Sequence, residues 1–281
     1  MHYAFKLCMK AYSSLITMVA GMLISVAPCT GSELPFQFNN GLVWVKVNTP
    51  KGPMNFILDS GASESVIDQS AAHRIGLSTG ATQSFSGVNG RGTAQWVSGL
   101  EADCAGTCLK KSLLAIDLSK PSCACGRKID GLLGADFLRG RVVQIDFASR
   151  RVRFLERMGV SNRGEVLPVR TPNGVLCVPV AVNGGKPEWV RLDTGSNGAL
   201  EAVRSGPARE TSRKTMIGLS NSSGSTGGKA RVKIGNLELF GVHVGWHQNP
   251  IFPGEGGLLG TQVLSRFKVT LDGVSNRVIL E

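Results

Sequence analysis

The chain has 281 residues and a formal net charge of +11; 42% of its residues are hydrophobic and 18% are charged. This balance is typical of a globular protein and excludes a disordered or membrane-filling chain. Its 36 glycines favour a turn-rich, largely β protein. The basic residues form no run of five or more, so the charge indicates a solvated basic surface and no nucleic-acid partner is expected.

The N-terminal segment has the pattern of a secretory signal. Lys6 and Lys10 precede the apolar stretch 15–27, and small or turn residues follow it. We therefore expect a signal peptide in residues 1–32 and a secreted or periplasmic protein. The alternative is an uncleaved membrane anchor that leaves the protein facing the periplasm, although the apolar core is short against the roughly 20 residues of a spanning helix.

One sequence pattern occurs twice. Residues 42–63 and residues 176–196 each contain an alternating segment, a Gly/Pro turn, a second apolar segment and then Asp-Ser/Thr-Gly. The pattern predicts two β-hairpins, each of which delivers an aspartate at its end. These aspartates are Asp59 and Asp193.

A second motif follows each hairpin in the same order. Residues 130–134 read DGLLG and residues 256–260 read GGLLG, and each is followed by a predicted strand, turn and strand. Two matched motifs in the same order indicate an internal duplication. The chain then divides into a first lobe at 33–154, a polar linker at 155–165 and a second lobe at 166–281, and both lobes have an ordinary domain size.

The residues beside the two aspartates suit a shared site. Two carboxylates held about 3 Å apart cannot both ionise, so they share one proton and can activate a water without a metal. Ser60 and Thr194 can hydrogen-bond to backbone across the junction and fix the carboxylates. Gly61 and Gly195 let the chain turn sharply where a Cβ would clash.

These motifs resemble the aspartic peptidase superfamily of retropepsins and pepsins. The first half is similar to bacterial retropepsin-like domains in LDSGAS and in four further segments. These are AAHRIGL at 71–77, the Gly-rich SGVNGRG at 86–92, DGLLGADFL at 130–138 and IDF at 145–147.

The resemblance implies an all-β fold of two closed β-barrel lobes with an active site between them. It implies an aspartic endopeptidase in which Asp59 and Asp193 activate a water toward a peptide bond of an extended substrate. It implies no cofactor and no metal, and we expect a monomer because the two lobes pair within one chain. The alternatives are a non-catalytic peptide-binding module with the same fold, and self-association in which lobes of different chains pair.

The resemblance also places a substrate-binding flap in the first lobe. Its residues are Gly87, Val88, Asn89 and Gly90. The flap lacks the tyrosine of pepsins, because the chain's two tyrosines lie in the N-terminal segment. The counterpart at 217–228 is either a second flap or a surface loop.

The two copies differ three residues after the aspartate, where the first has Ala62 and the second has Ser196. In pepsin-like enzymes a hydroxyl at this position donates to the outer carboxylate oxygen, so the resemblance implies that Ser196 supports Asp193. Since such a bond lowers a carboxylate pKa, we expect Asp193 to be the more readily ionised partner and Asp59 to hold the shared proton. The alternative is that Ser196 faces elsewhere.

Four cysteines lie between the two motifs of the first half. They are Cys104, Cys108, Cys123 and Cys125. In an exported protein we predict two disulfides here rather than a zinc site. Cys177 is left over, and we predict a buried thiol on a strand.

His243 and His247 have the spacing of a helical metal site. The apolar residues that alternate with them predict a strand, on which residues four apart are separated by about 13 Å. Shared metal ligation is therefore not expected.

Overall fold

The computed structural model describes residues 32–87, 90–156, 164–203 and 226–281. Strands dominate these ranges, as the sequence predicts. The strands are β1 (Glu33–Pro35), β2 (Gln37–Asn39), β3 (Leu42–Val47), β4 (Met54–Leu58), β5 (Val66–Asp68), β6 (Ser78–Gly87), β7 (Gly90–Ser98), β8 (Asp103–Cys104), β9 (Thr107–Cys108), β10 (Ser112–Ile116), β11 (Gly131–Leu133), β12 (Val142–Asp146), β13 (Arg151–Leu155), β14 (Glu165–Pro168), β15 (Cys177–Val182), β16 (Glu188–Leu192), β17 (Leu200–Val203), β18 (Thr226–Ile234), β19 (Leu237–His247), β20 (Gly257–Leu259), β21 (Lys268–Asp272) and β22 (Arg277–Leu280).

The helices in the described ranges are short. They are α1 (Gln69–Ile75), α2 (Ser119–Ala124), α3 (Ala135–Leu138) and α4 (Thr261–Leu264), with a 3-10 turn at Pro172–Gly174. In this part of the chain no helix has the length and apolar character that a membrane crossing requires. The all-β fold class is confirmed. Residues 1–31, which carry the signal-peptide prediction, lie outside the described ranges.

The first half of the chain forms an eight-stranded sheet in the order β2-β3-β4-β11-β5-β10-β7-β6. β4 lies parallel to β11, and Leu58 at its end is opposite Leu133. β11 is antiparallel to β5, and β5 is parallel to β10. The backbone N–H of Asp59 donates to the Leu133 carbonyl at 2.9 Å, which fixes the aspartate at the end of β4.

The second half forms a closed barrel in the order β15-β16-β20-β17-β19-β18. Its pairings repeat those of the first sheet: β16 is parallel to β20, β20 is antiparallel to β17, and β17 is parallel to β19. The N–H of Asp193 donates to the Leu259 carbonyl at 2.9 Å. Both aspartates therefore stand at the same point of the same pairing pattern. Closure into a barrel is seen in the second half, whereas the first sheet has β2 and β6 at its edges.

A six-stranded sheet joins the two halves, in the order β1-β13-β12-β21-β22-β14. At its centre β12 pairs antiparallel with β21, with Ile145 opposite Val269. One buried apolar core continues through strands of both halves, and the described residues belong to one compact unit. The predicted lobes 33–154 and 166–281 thus share this joining sheet.

The predicted disulfides are not present in the structure, where the five cysteines of the described ranges are free thiols. Cys104 and Cys108 lie on neighbouring rungs of the β8–β9 hairpin. Because adjacent rungs face opposite sides of a hairpin, the two thiols point away from each other. Cys123 and Cys125 are two residues apart at the end of α2, a spacing that does not bring helix side chains together.

Cys177 and the two histidines of the predicted strand lie within the described residues. Cys177 is buried on β15, and burial raises the pKa of its thiol to about 12. β19 runs through His243 and His247, as the alternation predicts. His247 Nε2 pairs with the buried carboxylate of Glu201 on the neighbouring β17.

Candidate active site

Asp59 and Asp193 lie side by side where β4 and β16 end. Both are buried, with 6% and 7% of their surface exposed, and their carboxyl groups are hydrogen-bonded to each other. The sequence predicted that these two residues would meet, and the fold brings them together.

Reciprocal hydrogen bonds lock the two Asp-Ser/Thr-Gly loops. The Ser60 hydroxyl donates to the Leu192 carbonyl at 2.8 Å and accepts from the Thr194 N–H at 3.1 Å. The Thr194 hydroxyl donates to the Leu58 carbonyl at 2.6 Å and accepts from the Ser60 N–H at 3.0 Å. Each hydroxyl therefore binds both the strand end and the loop of the other half, as predicted. These bonds set the position of the two carboxyl groups.

We expect Thr194→Ala to lower the free energy of unfolding by about 2 kcal/mol or more. The change deprives the Ser60 N–H and the Leu58 carbonyl of this partner, and a buried polar group without a partner costs about 1–3 kcal/mol. Urea denaturation at constant pH measures the loss. Thr194→Ser keeps the hydroxyl and serves as the control, so equal stability of the two variants would contradict the role given to this bond.

Gly61 and Gly195 leave room for the carboxylate of the opposite half. A Cβ added at Gly61 would lie under 3.0 Å from the Asp193 carboxylate, and one at Gly195 would lie as close to that of Asp59. A side chain at either glycine would therefore clash, as predicted. The clash arises from the close approach of the two halves and not from a left-handed turn, since neither glycine has positive φ.

The two carboxyl groups differ in their electrostatic surroundings. Asp59 accepts hydrogen bonds from the N–H groups of Gly61 and Ala62, both at 3.0 Å, whereas Asp193 accepts one from Gly195 at 2.9 Å. Burial raises the pKa of Asp59, and the bonds from Ala62 and Gly61 oppose the rise. Burial raises the pKa of Asp193 well above its usual value, and the negative charge of Asp59 raises it further. The larger number of backbone donors therefore favours Asp59 as the ionised partner of the pair.

This order is the reverse of the sequence-based expectation, which depended on the Ser196 hydroxyl. Ser196 is buried, but among the hydrogen bonds of the described residues its hydroxyl does not donate to Asp193. Its carbonyl accepts from the N–H and the hydroxyl of Thr261, both at 2.9 Å. The Thr261 hydroxyl also contacts the Gly41 carbonyl of the first half. The backbone N–H of Ala62 favours the ionised form of Asp59, and the bond from Ser196 that the resemblance implied is not among the hydrogen bonds of the described residues.

The predicted flap lies on the hairpin of β6 and β7. Gly87 is the last residue of β6, Gly90 is the first residue of β7, and the two pair with each other. Val88 and Asn89 lie outside the described residues, as does most of the counterpart segment 217–228. The hairpin is present, and its contact with a substrate stays a prediction.

A buried ion pair beside the aspartates was missed by the sequence reasoning. Arg191 donates from Nε to Glu255 Oε2 at 2.7 Å and from Nη2 to Oε1 at 2.5 Å. Its third nitrogen, Nη1, donates to the Gly61 carbonyl at 2.6 Å. The two side chains are 4% and 1% exposed. The available signal was a charged residue between the apolar Val190 and Leu192, two positions before Asp193.

The fold and the two locked Asp-Ser/Thr-Gly loops define the architecture of an aspartic peptidase. Residues 43–137, from β3 to α3, match the family model described as aspartyl protease. The first half of the chain thus carries a segment similar to the aspartyl protease family. No curated protein matches the chain.

Proposed function

We propose that the protein is an aspartic endopeptidase that hydrolyses peptide bonds with a water activated by Asp59 and Asp193. The observation that carries the proposal is the buried, mutually hydrogen-bonded carboxyl pair held by matching loops of the two halves. Such a pair offers a base and an acid at one place, because it shares a single proton. The family match supports a peptide as the substrate.

The pKa order suggests the division of roles. Asp59, the ionised partner, takes a proton from the attacking water, while Asp193 gives its proton to the carbonyl oxygen of the scissile bond. The product of this step is a tetrahedral diol. Asp59 then protonates the leaving nitrogen as the C–N bond breaks, and Asp193 recovers its proton from a diol hydroxyl.

The substrate is proposed to bind as an extended strand beneath the β6–β7 hairpin, with Gly87, Val88, Asn89 and Gly90 as the flap that the resemblance implies. Extended peptides bind to sheets and hairpins through their main chain, which suits cleavage within a chain rather than at its end. The protein is proposed to act as a monomer, since both aspartates come from one chain.

Export to the periplasm or the medium is part of the proposal and is supported by the charge and apolar pattern of residues 6–27. The first residue of the protein recovered from cells tests this point. A start near residues 28–33 supports cleavage, and a start at Met1 supports a retained anchor.

Digestion of a peptide library by purified mature protein, followed by mass spectrometry, tests the activity. We expect internal cleavage at acidic pH that pepstatin suppresses, because pepstatin occupies a carboxyl pair of this kind. Binding of peptides without cleavage at any pH would favour the non-catalytic alternative.

A further inference from the structure

Two matched positions differ sharply in polarity between the halves. Ile57 lies two residues before Asp59, and Arg191 lies two residues before Asp193. Ile129 lies two residues before the Gly-Leu-Leu strand of the first half, and Glu255 has the same place in the second. Both isoleucines are fully buried in one apolar cluster. The second half therefore has an ion pair where the first has an apolar pair.

An ion pair at a buried site is costly unless each charged group is well satisfied. The three donating nitrogens of Arg191 each have an acceptor: Glu255 receives two bonds and the Gly61 carbonyl receives one. The ring of Phe252 covers the guanidinium, with the Cζ atom 3.6 Å from the ring centroid. Such stacking adds to the stability of the buried cation. The arrangement holds the guanidinium in one orientation.

The bond between Arg191 and Gly61 connects the ion pair to the proposed catalytic pair. Arg191 belongs to the second half, whereas Gly61 belongs to the loop of the first half. The N–H of the same Gly61 donates to Asp59 Oδ1 at 3.0 Å. Arg191 of the second half thus fixes Gly61 of the first half, and the N–H of Gly61 binds the carboxylate of Asp59.

The charge of Arg191 also acts on both aspartates. Its proximity lowers the pKa of Asp59 and of Asp193, against the effect of burial. The other ionisable groups facing it are Glu255 and, across the β15–β16 pair, Cys177. The pKa of Cys177 is raised to about 12 by burial, so this thiol stays neutral over the working range of an aspartic pair.

We propose that Arg191 is a positioning residue of the carboxyl pair: held by Glu255 and Phe252, it fixes the Gly61 peptide and places a positive charge beside Asp59. The inference rests on the proposed function, since it assigns a role in that reaction. Arg191 does not touch the substrate in this scheme. It acts on the carboxyl pair through its bond to Gly61 and through the electrostatic effect of its positive charge.

The test is a double variant, Arg191→Ile with Glu255→Ile, which copies the apolar pair of the first half. A single change at Arg191 would leave Glu255 buried without its partner, whereas replacing both charges by apolar groups is often neutral for stability. We expect kcat/KM to fall at least about tenfold at the wild-type optimum, with most of the loss in kcat, which is less than the roughly hundredfold loss of a catalytic acid or base. Both limbs of the pH profile should move to higher pH, because the carboxylates lose a stabilising cation.

The matched control is Arg231→Ile with Glu238→Ile, which removes the same charges from a pair whose side chains are 49% and 41% exposed. Its pH profile should overlay the wild type. A profile of the Arg191 double variant that also overlays the wild type, at any level of activity, would overturn the positioning role.

A carboxyl titration separates this inference from the proposed function. Carbon-13 NMR of labelled aspartate side chains follows the pair in the protein without substrate. An upward shift of both pKa values in the double variant supports the role of Arg191 even if no peptide is cleaved, and unchanged values overturn it even if cleavage is found.

Discussion

Asp59→Asn and Asp193→Asn are each expected to lower kcat/KM by more than about a hundredfold, the lower end of what a positioned acid or base contributes. An asparagine at either position cannot pass a proton between water and peptide, so one change disables both steps. The amide can still accept the backbone bonds of Gly61 or Gly195, and the fold should persist.

The double variant of Asp59 and Asp193 should lose little more activity than either single variant, because groups that act as a unit are not additive. Asp117→Asn changes an exposed aspartate in the same way and should keep the activity of the wild type. Digestion of a cleavable peptide from the library gives all four rates. If either single variant keeps more than about a hundredth of wild-type activity, the two-carboxylate mechanism is wrong.

The second large effect is a gain of stability: Asp193→Asn, which should abolish activity, should also stabilise the folded protein at neutral pH. Because the pKa of Asp193 is raised in the folded protein, the folded state holds a proton that the unfolded state releases above pH 3.8, the ordinary value. The stability that depends on this proton is complete below pH 3.8 and is lost as pH rises through the folded pKa. Asp193→Asn mimics the protonated form at every pH, so the variant should be more stable than the wild type at neutral pH.

Thermal unfolding from acidic to neutral pH measures this gain. The melting temperature should rise by about 2–4 °C for each kcal/mol gained, and the difference should vanish below pH 3.8. Asp59→Asn should give a smaller gain, since the two backbone bonds from Gly61 and Ala62 already favour its ionised form. A variant at Asp193 that is less stable than the wild type at neutral pH would contradict the raised pKa.

The repeat in the sequence was sufficient to predict the hairpins, the meeting of Asp59 with Asp193 and the crossed bonds of Ser60 and Thr194. These features depend on local alternation and on the same order of motifs in two copies, both of which are visible in the chain. The pairing of β12 with β21 was not predicted, although both strands were. Pairing between distant strands is decided by the packing of whole layers, which local periodicity does not contain.

The errors had a common origin in side-chain direction. The resemblance implied a bond from Ser196 to Asp193, and the four cysteines of an exported protein predicted two disulfides, but neither argument says where a hydroxyl or a thiol points. Arg191 was read as part of an apolar strand because its neighbours are apolar. Its partner Glu255 is 64 positions away in the chain. A comparison of the two copies position by position would have shown opposite charges where the first copy has two isoleucines.

The joining sheet bears on whether either half can exist alone. A chain ending near Leu155 would keep its own aspartate, but it would leave β12 without β21 and expose a full edge of unpaired backbone groups. Exposed edges of this kind pair readily with another copy. The half would therefore tend to associate through β12, so that two copies of Asp59 could approach each other as Asp59 and Asp193 do. The intact molecule has this partnership built into one polypeptide, and its halves can differ, as Arg191 and Ile57 do, without the need to match a twin.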